Sequence, residues 1–316
     1  MRWKLVILFS LYLKISSGQD IHFSQSFVER MYFNPALVGD LEESDYRVSI
    51  QRKSQWNSVT QPYSTLSTSF ESKNIYKNLN LGVQFLNDKS GDSEMTLNQL
   101  NVAISKNYKV LKVNSFSIGT IAGLAQKTID YSNLIFEDEE NFLTNSILYP
   151  DIGIGLNYKT NPFQILSYKF GISSFHLNNP NNSFNEDENV NLTFKNNFNF
   201  GIDYQYSSNI LFQSDVVLTT QVTTKEVLIG TRAIMKLEEM KIIHMAYYRV
   251  EDALIFGFGI EKNNIQANIS YDINTSDLTT ASNNKGGFEF SIIYLWKEKK
   301  RKDRIDKIEE KCPKYL

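Results

Sequence analysis

The run Ile265–Tyr271 constrains this chain most. Ile265, Ala267, Ile269 and Tyr271 are apolar, and Gln266, Asn268 and Ser270 between them are polar. Successive side chains of a strand point to opposite faces, so the run has one oily face and one wet face. Just upstream, Leu254, Phe256, Phe258 and Ile260 alternate with Ile255, Gly257, Gly259 and Glu261. The polar link Lys262–Asn264 joins the two runs as a hairpin. The same pattern recurs along most of the 316 residues.

Alternation predicts strands at 45–55, 62–71, 79–88, 94–108, 112–127, 151–160 and 164–175. Further runs lie at 191–206, 209–220, 225–236, 241–250, 252–262, 264–274 and 286–296. The segments 112–127, 225–236 and 241–250 alternate least. The six Pro residues, at 35, 62, 150, 162, 180 and 313, fall at or outside the ends of the alternating segments, as a sheet requires.

The links are sorted by length. Those after even-numbered strands are mostly short: 159–163, 206–209, 237–240 and 262–264. Those after odd-numbered strands include 88–93, 128–150, 176–190 and 275–285, with the short link at Val250 and Glu251 as an exception. Short turns at one end and long loops at the other is the layout of a membrane barrel, and a soluble sandwich has no reason to sort its loops. The expected fold is therefore all-β: a transmembrane antiparallel up-and-down β-barrel of about fourteen strands. In hydrocarbon every backbone N–H and C=O needs an internal partner, so the sheet must close on itself. A lumen of that size is too wide for side chains alone to fill. Water, the N-terminal segment or a partner chain must occupy it.

Tyr46, Tyr108, Tyr158, Tyr204, Tyr206, Tyr294 and Trp296 all fall at the short-link level, where an aromatic girdle would meet one membrane surface. Ahead of the strands, Met1–Lys4 is basic, Leu5–Leu13 is apolar and Ser16-Ser17-Gly18 is small. This reads as a signal peptide over 1–18, cleaved before Gln19, because the apolar run is too short to span a bilayer. Residues 19–45 then form an N-terminal periplasmic or plug segment, 46–296 the outer-membrane barrel, and 297–316 a charged tail, with both ends of the mature chain periplasmic.

Basic and acidic side chains number 33 and 35, which leaves no field for nucleic acid. A single Cys, Cys312, excludes an intramolecular disulfide. His22, His176 and His244 have no metal-ligand spacing, and no nucleophile or phosphate-loop motif is present. Neither an enzyme, a metal nor a cofactor is expected. The acidic runs Glu137–Glu140 and Glu186–Glu188 read as solvated loop tips, and Gly153-x-Gly155 as relief of strand curvature.

The most specific stretch is the one that alternates poorly. His22-Phe23-Ser24-Gln25, followed by Tyr32-Phe33-Asn34-Pro35-Ala36-Leu37-Val38-Gly39, resembles the mature N-terminal signature of the PorP/SprF family. These are outer-membrane proteins of the type IX secretion system in Bacteroidota. Weaker matches follow in the family's order: Tyr46-Arg47, Gln55-Trp56, Pro62-Tyr63, Asp88 with Gly91, Pro150-Asp151, His176-Leu177, Tyr248-Arg249, Tyr271-Asp272 and Gly287-Phe288-Glu289. The resemblance implies a non-enzymatic barrel that works with the secretion machinery. It would support export or surface attachment of a sorting-domain protein such as a gliding adhesin. Periplasmic ring and peptidoglycan-binding components are implied as further partners. A general diffusion porin or small-molecule outer-membrane transporter is the alternative, and a soluble exported β-protein a third.

Within the signature, Asn34-Pro35-Ala36 reads as a turn, and Phe23, Phe27, Tyr32 and Phe33 as aromatics that seat the segment in a barrel mouth. His22, Phe23, Gln25, Tyr32, Asn34 and Pro35 are the candidate plug or partner residues. Residues 19–39 are expected to occlude the lumen partly from the periplasmic side.

Overall fold

In the computed structural model, residues 21–55, 63–90, 95–110, 113–130, 144–160, 165–184, 190–275 and 285–298 are described. Every predicted run is a strand. The first seven are β1 (Tyr46–Gln55), β2 (Tyr63–Tyr76), β3 (Leu79–Ser90), β4 (Met95–Val110), β5 (Asn114–Thr128), β6 (Ser146–Lys159) and β7 (Leu166–Phe175). The others are β8 (Lys195–Ser207), β9 (Ile210–Gln221), β10 (Thr224–Lys236), β11 (Met240–Arg249), β12 (Ala253–Lys262), β13 (Ile265–Asn274) and β14 (Lys285–Trp296). Each pairs antiparallel with its sequence neighbours, and β1 pairs with β14 over Tyr46↔Trp296 to Gln55↔Gly287, closing the fourteen-stranded barrel. Closure leaves no free edge, the condition for a sheet in hydrocarbon.

The burial pattern is inverted relative to a soluble protein. On β13, Ile269 and Tyr271 are 43% and 42% exposed, whereas Asn268 and Ser270 are 2% exposed. Oily side chains thus face outward, where lipid is their solvent, and polar ones face the lumen. The rings of Tyr46 and Trp296 stack at 5.2 Å and those of Tyr294 and Trp296 at 5.1 Å, at the mouth that carries the short turns. Tyr108, Tyr204 and Tyr206 are exposed at the same level.

The strand boundaries differ from expectation in places with physical reasons. Strand β2 continues to Tyr76 through an irregularity between Ser72 and Tyr76, where Asn74 takes φ 56. Strand β6 begins at Ser146, which puts Pro150 inside a strand instead of outside one. Its ladder to β7 starts only at Ile154, so Pro150 has a partner strand on one side, β5, and its missing N–H disrupts no second ladder. Strand β8 begins at Lys195, and Asn191 instead forms an isolated bridge to Asn181. Besides the Val250 link, the Val222–Thr223 turn at the long-loop mouth is also short.

The weak alternation of β10 and β11 also has a cause. Their inward residues Leu228, Ile243, Met245 and Tyr247 are apolar and buried against Phe23 and Phe33 of the N-terminal segment. An inner face that carries apolar side chains erases the two-residue period. The signal peptide, most of the charged tail and the acidic runs at 137–140 and 186–188 lie outside the described residues.

Candidate functional site

The chain from Ile21 to Asp45 lies inside the barrel and contacts strands all round it. It folds into a short helix, α1 (Arg30–Phe33), and a 3₁₀ turn at Pro35–Leu37. Phe23, Ser24, Gln25, Val28, Glu29, Asn34, Ala36 and Val38 are each 1% exposed or less.

The segment crosses the lumen from mouth to mouth. His22 Nδ1 lies 2.5 Å from Glu226, near the start of β10, and the Tyr32 hydroxyl donates to the Ile21 carbonyl at 2.6 Å. Both are at the long-loop mouth. At the other end Asp45 N–H donates to the Trp296 carbonyl at 2.9 Å, beside the short turns. The expectation that both chain ends share one side therefore meets a difference. The first described residues stand at the long-loop mouth, because the segment traverses the lumen where capping of one mouth was expected.

Three anchors hold it. At the first, the Glu289 carboxylate accepts the backbone N–H groups of Ser24 at 2.8 Å and Gln25 at 2.7 Å. The Ser24 hydroxyl donates to Asp272 at 2.7 Å and accepts from Lys53 and Arg249, both at 2.9 Å. The Gln25 amide donates to Ser270 at 3.0 Å and accepts from Ser291 at 2.6 Å. At the second, Glu71 accepts from Arg30 at 2.7 Å, Arg47 at 2.8 Å and the Gly39 N–H at 2.9 Å. Arg47 also donates to the Val28 carbonyl at 2.5 Å, tying the barrel wall to the segment. Glu29 accepts from Ser49 at 2.7 Å and Gln84 at 2.9 Å. Buried ions of this kind persist only when paired and hydrogen-bonded, which both clusters achieve.

The third anchor is steric. Asn34 makes the expected turn: its Oδ1 accepts the Ala36 N–H at 2.9 Å, while its Nδ2 donates to the Leu156 carbonyl at 3.0 Å. Gly119 and Gly155 are opposite each other on β5 and β6. A Cβ at Gly155 would stand 2.0 Å from Asn34 Oδ1, and one at Gly119 would stand 2.5 Å from the Pro35 carbonyl. Gly155 thus makes room for the signature turn, where curvature relief was expected.

Towards the short-turn mouth, Lys159 lies 2.7 Å from Glu42 and 3.7 Å from Asp40, and Lys73 donates to the Leu41 carbonyl. Burial works against charge on Asp40, but Lys159 and then Arg30 outweigh it and hold that carboxyl below the usual aspartate range. The segment's aromatic rings pack on one another and under cations of the wall. Phe23 meets Tyr32 edge-on at 5.5 Å, Lys195 caps the Tyr32 ring at 3.7 Å, and Arg232 caps Phe27 at 4.0 Å.

All six candidate residues, His22, Phe23, Gln25, Tyr32, Asn34 and Pro35, therefore belong to one lumenal segment. Sequence reasoning passed over its wall partners Arg47, Lys53, Glu71, Arg249, Asp272 and Glu289. A signal for four of them was present. In Tyr46-Arg47, Tyr248-Arg249, Tyr271-Asp272 and Phe288-Glu289 the charge falls on the wet face immediately after an outward aromatic.

The described residues hold no group of three or more His, Cys, Asp or Glu placed to bind a metal. His244, in β11, points outward and packs edge-on to Phe258 at 5.5 Å, away from the lumen.

A closed barrel with an outward oily face and a lumen filled by its own N-terminal segment defines an outer-membrane β-barrel protein. The sequence model for the type IX secretion system membrane protein PorP/SprF matches residues 15–294, so the chain belongs to that family. No curated protein matches the sequence. Among solved structures, the toluene transporter TbuX of Ralstonia pickettii is similar with a TM-score of 0.55 and 11% identity, over 85% of this chain and 93% of that one. The CymD monoaromatic hydrocarbon channel gives 0.53 and 10%, over 87% and 94%. A FadL homologue of Pseudomonas aeruginosa gives 0.51 and 8%, over 83% and 93%. At these identities the likeness is one of fold.

Proposed function

We propose that the protein is a non-enzymatic, plugged barrel of the type IX secretion system that supports secretion or surface attachment of a partner such as a gliding adhesin. The observation that carries this reading is the lumenal segment, pinned by Glu289 at one level and by Glu71 at another. General diffusion needs a lumen open from mouth to mouth, and two paired-ion anchors are a costly way to build a porin. A fixed scaffold that presents both mouths to other proteins suits them better. The short-turn mouth faces the periplasm in this reading. There the charged tail 297–316 meets secretion-ring or peptidoglycan-binding components. The long-loop mouth, with Ile21 and His22, faces the secreted partner.

The test is a mild-detergent pull-down from outer membranes. A secretion-system component or a large sorting-domain protein is expected to co-purify. Recovery of the barrel alone, with normal surface display in a deletion strain, overturns the reading. Orientation is checked with protease on intact cells: cutting within 128–150 while sparing 297–311 is expected, and the reverse pattern inverts the barrel.

A further inference from the structure

The segment does not fill the lumen evenly. Its polar anchors lie on β1–β4, β6–β8, β10, β11, β13 and β14, and the one on β10 is at the long-loop mouth, so two cavities remain along the inner face of β8–β10. One, of about 310 Å³, opens at the long-loop mouth beside Thr224 and Asp252. The other, of about 280 Å³, opens at the short-turn mouth beside Asp40 and Glu42. The inward row of β9 shows that they are collinear. Gln213, Asp215 and Val217 line the lower cavity, and Thr219 and Gln221 line the upper one. Phe33 lines both.

Each cavity has room for several waters, at roughly 30 Å³ of liquid per molecule. The wall of the lower one also holds unpartnered polar atoms. Asn157 Oδ1, Asn199 Oδ1, Arg30 Nε and Arg232 Nε are buried there with no hydrogen-bond partner among the described residues. Asn157 itself is 4% exposed. Buried donors and acceptors without protein partners call for water or a polar ligand. Between the cavities the lining turns apolar: Phe33 shares one cluster with Val217 and Leu228. The Phe33 carbonyl accepts from Ser173 at 2.5 Å and Asn197 at 2.8 Å, so its backbone is pinned while its ring blocks the way.

We propose that the barrel contains a second path beside the segment, a hydrated conduit along β8–β10 closed by the hydrophobic seal of Phe33 against Val217 and Leu228. Apolar constrictions of this kind gate by excluding water. Arg30, Lys159, Lys169 and Arg232 line the lower cavity against Asp40, Glu42 and Asp215, and Lys195, Lys225 and Arg249 line the upper one against Glu226 and Asp252. Arg30 is already paired with Glu71 and Lys195 sits over the Tyr32 ring, so neither cavity carries a strong excess of one sign, and the permeant class is small, net-neutral hydrophilic solutes of amino-acid size. A folded protein or an extended chain does not fit.

The full-length protein in liposomes tests this by osmotic swelling with glycine and with raffinose. Phe33→Ser, and separately Val217→Ser in the wall, should raise glycine entry at least about tenfold over wild type, while Phe33→Leu stays closed. Raffinose should remain excluded in all of them. Unchanged glycine entry in both serine variants, with heat-modifiable barrels on gels, overturns the proposal. So does wild-type entry as fast as the variants, or raffinose entry, which means that the whole segment has left the lumen.

Discussion

Glu289, in the last strand, accepts the backbone N–H of Ser24 at 2.8 Å, joining positions 265 residues apart. The same carboxylate takes the Gln25 N–H at 2.7 Å, and Lys53 lies 4.0 Å away. Two N–H groups aimed at one carboxylate cannot be satisfied as well by an amide. Glu289→Gln should cost about 2–3 kcal/mol, the scale of hydrogen bonds to a charged group. It should also make the chain around Arg30 accessible to trypsin in detergent. A digestion time course checks this. Wild-type protection in the variant would mean that the other anchors hold the segment alone.

Gly119 and Gly155 offer a cleaner way to unseat the segment, since both side chains are absent and the barrel ladder uses only their backbones. Their substitution by Val places a Cβ 2.5 Å from the Pro35 carbonyl at 119 and 2.0 Å from Asn34 Oδ1 at 155. The Pro35 backbone cannot yield as a flexible side chain does. The double variant should fold as a heat-modifiable barrel with trypsin-sensitive lumenal chain. Its barrel stability should stay within about 1–3 kcal/mol of wild type, the usual cost of overpacking. Loss of the barrel itself would assign these glycines to the wall.

The architecture was legible because lipid-facing strands repeat one simple rule, as Leu254–Ile260 and Ile265–Tyr271 do. The lumen was harder to read. Strands β10 and β11 break the rule, since Leu228, Ile243 and Met245 face an apolar stretch of the segment. Its path was misjudged for a related reason. Phe23 and Tyr32 announce burial, but burial in a mouth and burial across a lumen look alike in sequence. The anchors Glu71 and Glu289 are single charges on polar faces, and only the closed ladder brings Glu289 opposite Lys53.

Glu71 holds three donors at once, from Arg30, Arg47 and Gly39, and is 1% exposed. Removing it leaves two buried arginines facing each other with only the more distant Glu29 and Asp40 to offset them. Glu71→Leu should therefore destabilise the protein by about 3–5 kcal/mol, the cost of breaking a buried ion network from one side. Converting Arg47 to Met in the same chain should recover part of the loss, because one uncompensated charge goes with it. Thermal loss of the folded gel species across the single and double variants measures this. A Glu71→Leu protein as stable as wild type would show that water, not Glu71, carries the arginine charges.

The outer face makes a prediction that depends on depth. Ile269 sits mid-strand between Phe258 and Phe290, while Ile265 pairs with Lys262 beside the short turn. Their outward exposures are similar, 43% and 49%, so a soluble sheet would treat Arg at either position alike. In a bilayer the cost of an outward Arg is about 2–4 kcal/mol at the midplane and falls to about 0–1 near the interface. Ile269→Arg should therefore be the more destabilising by at least about 1 kcal/mol in denaturant titrations of liposome-folded protein, and the gap should shrink in short-chain detergent. Equal losses at the two sites in liposomes would place the oily face against protein instead of lipid.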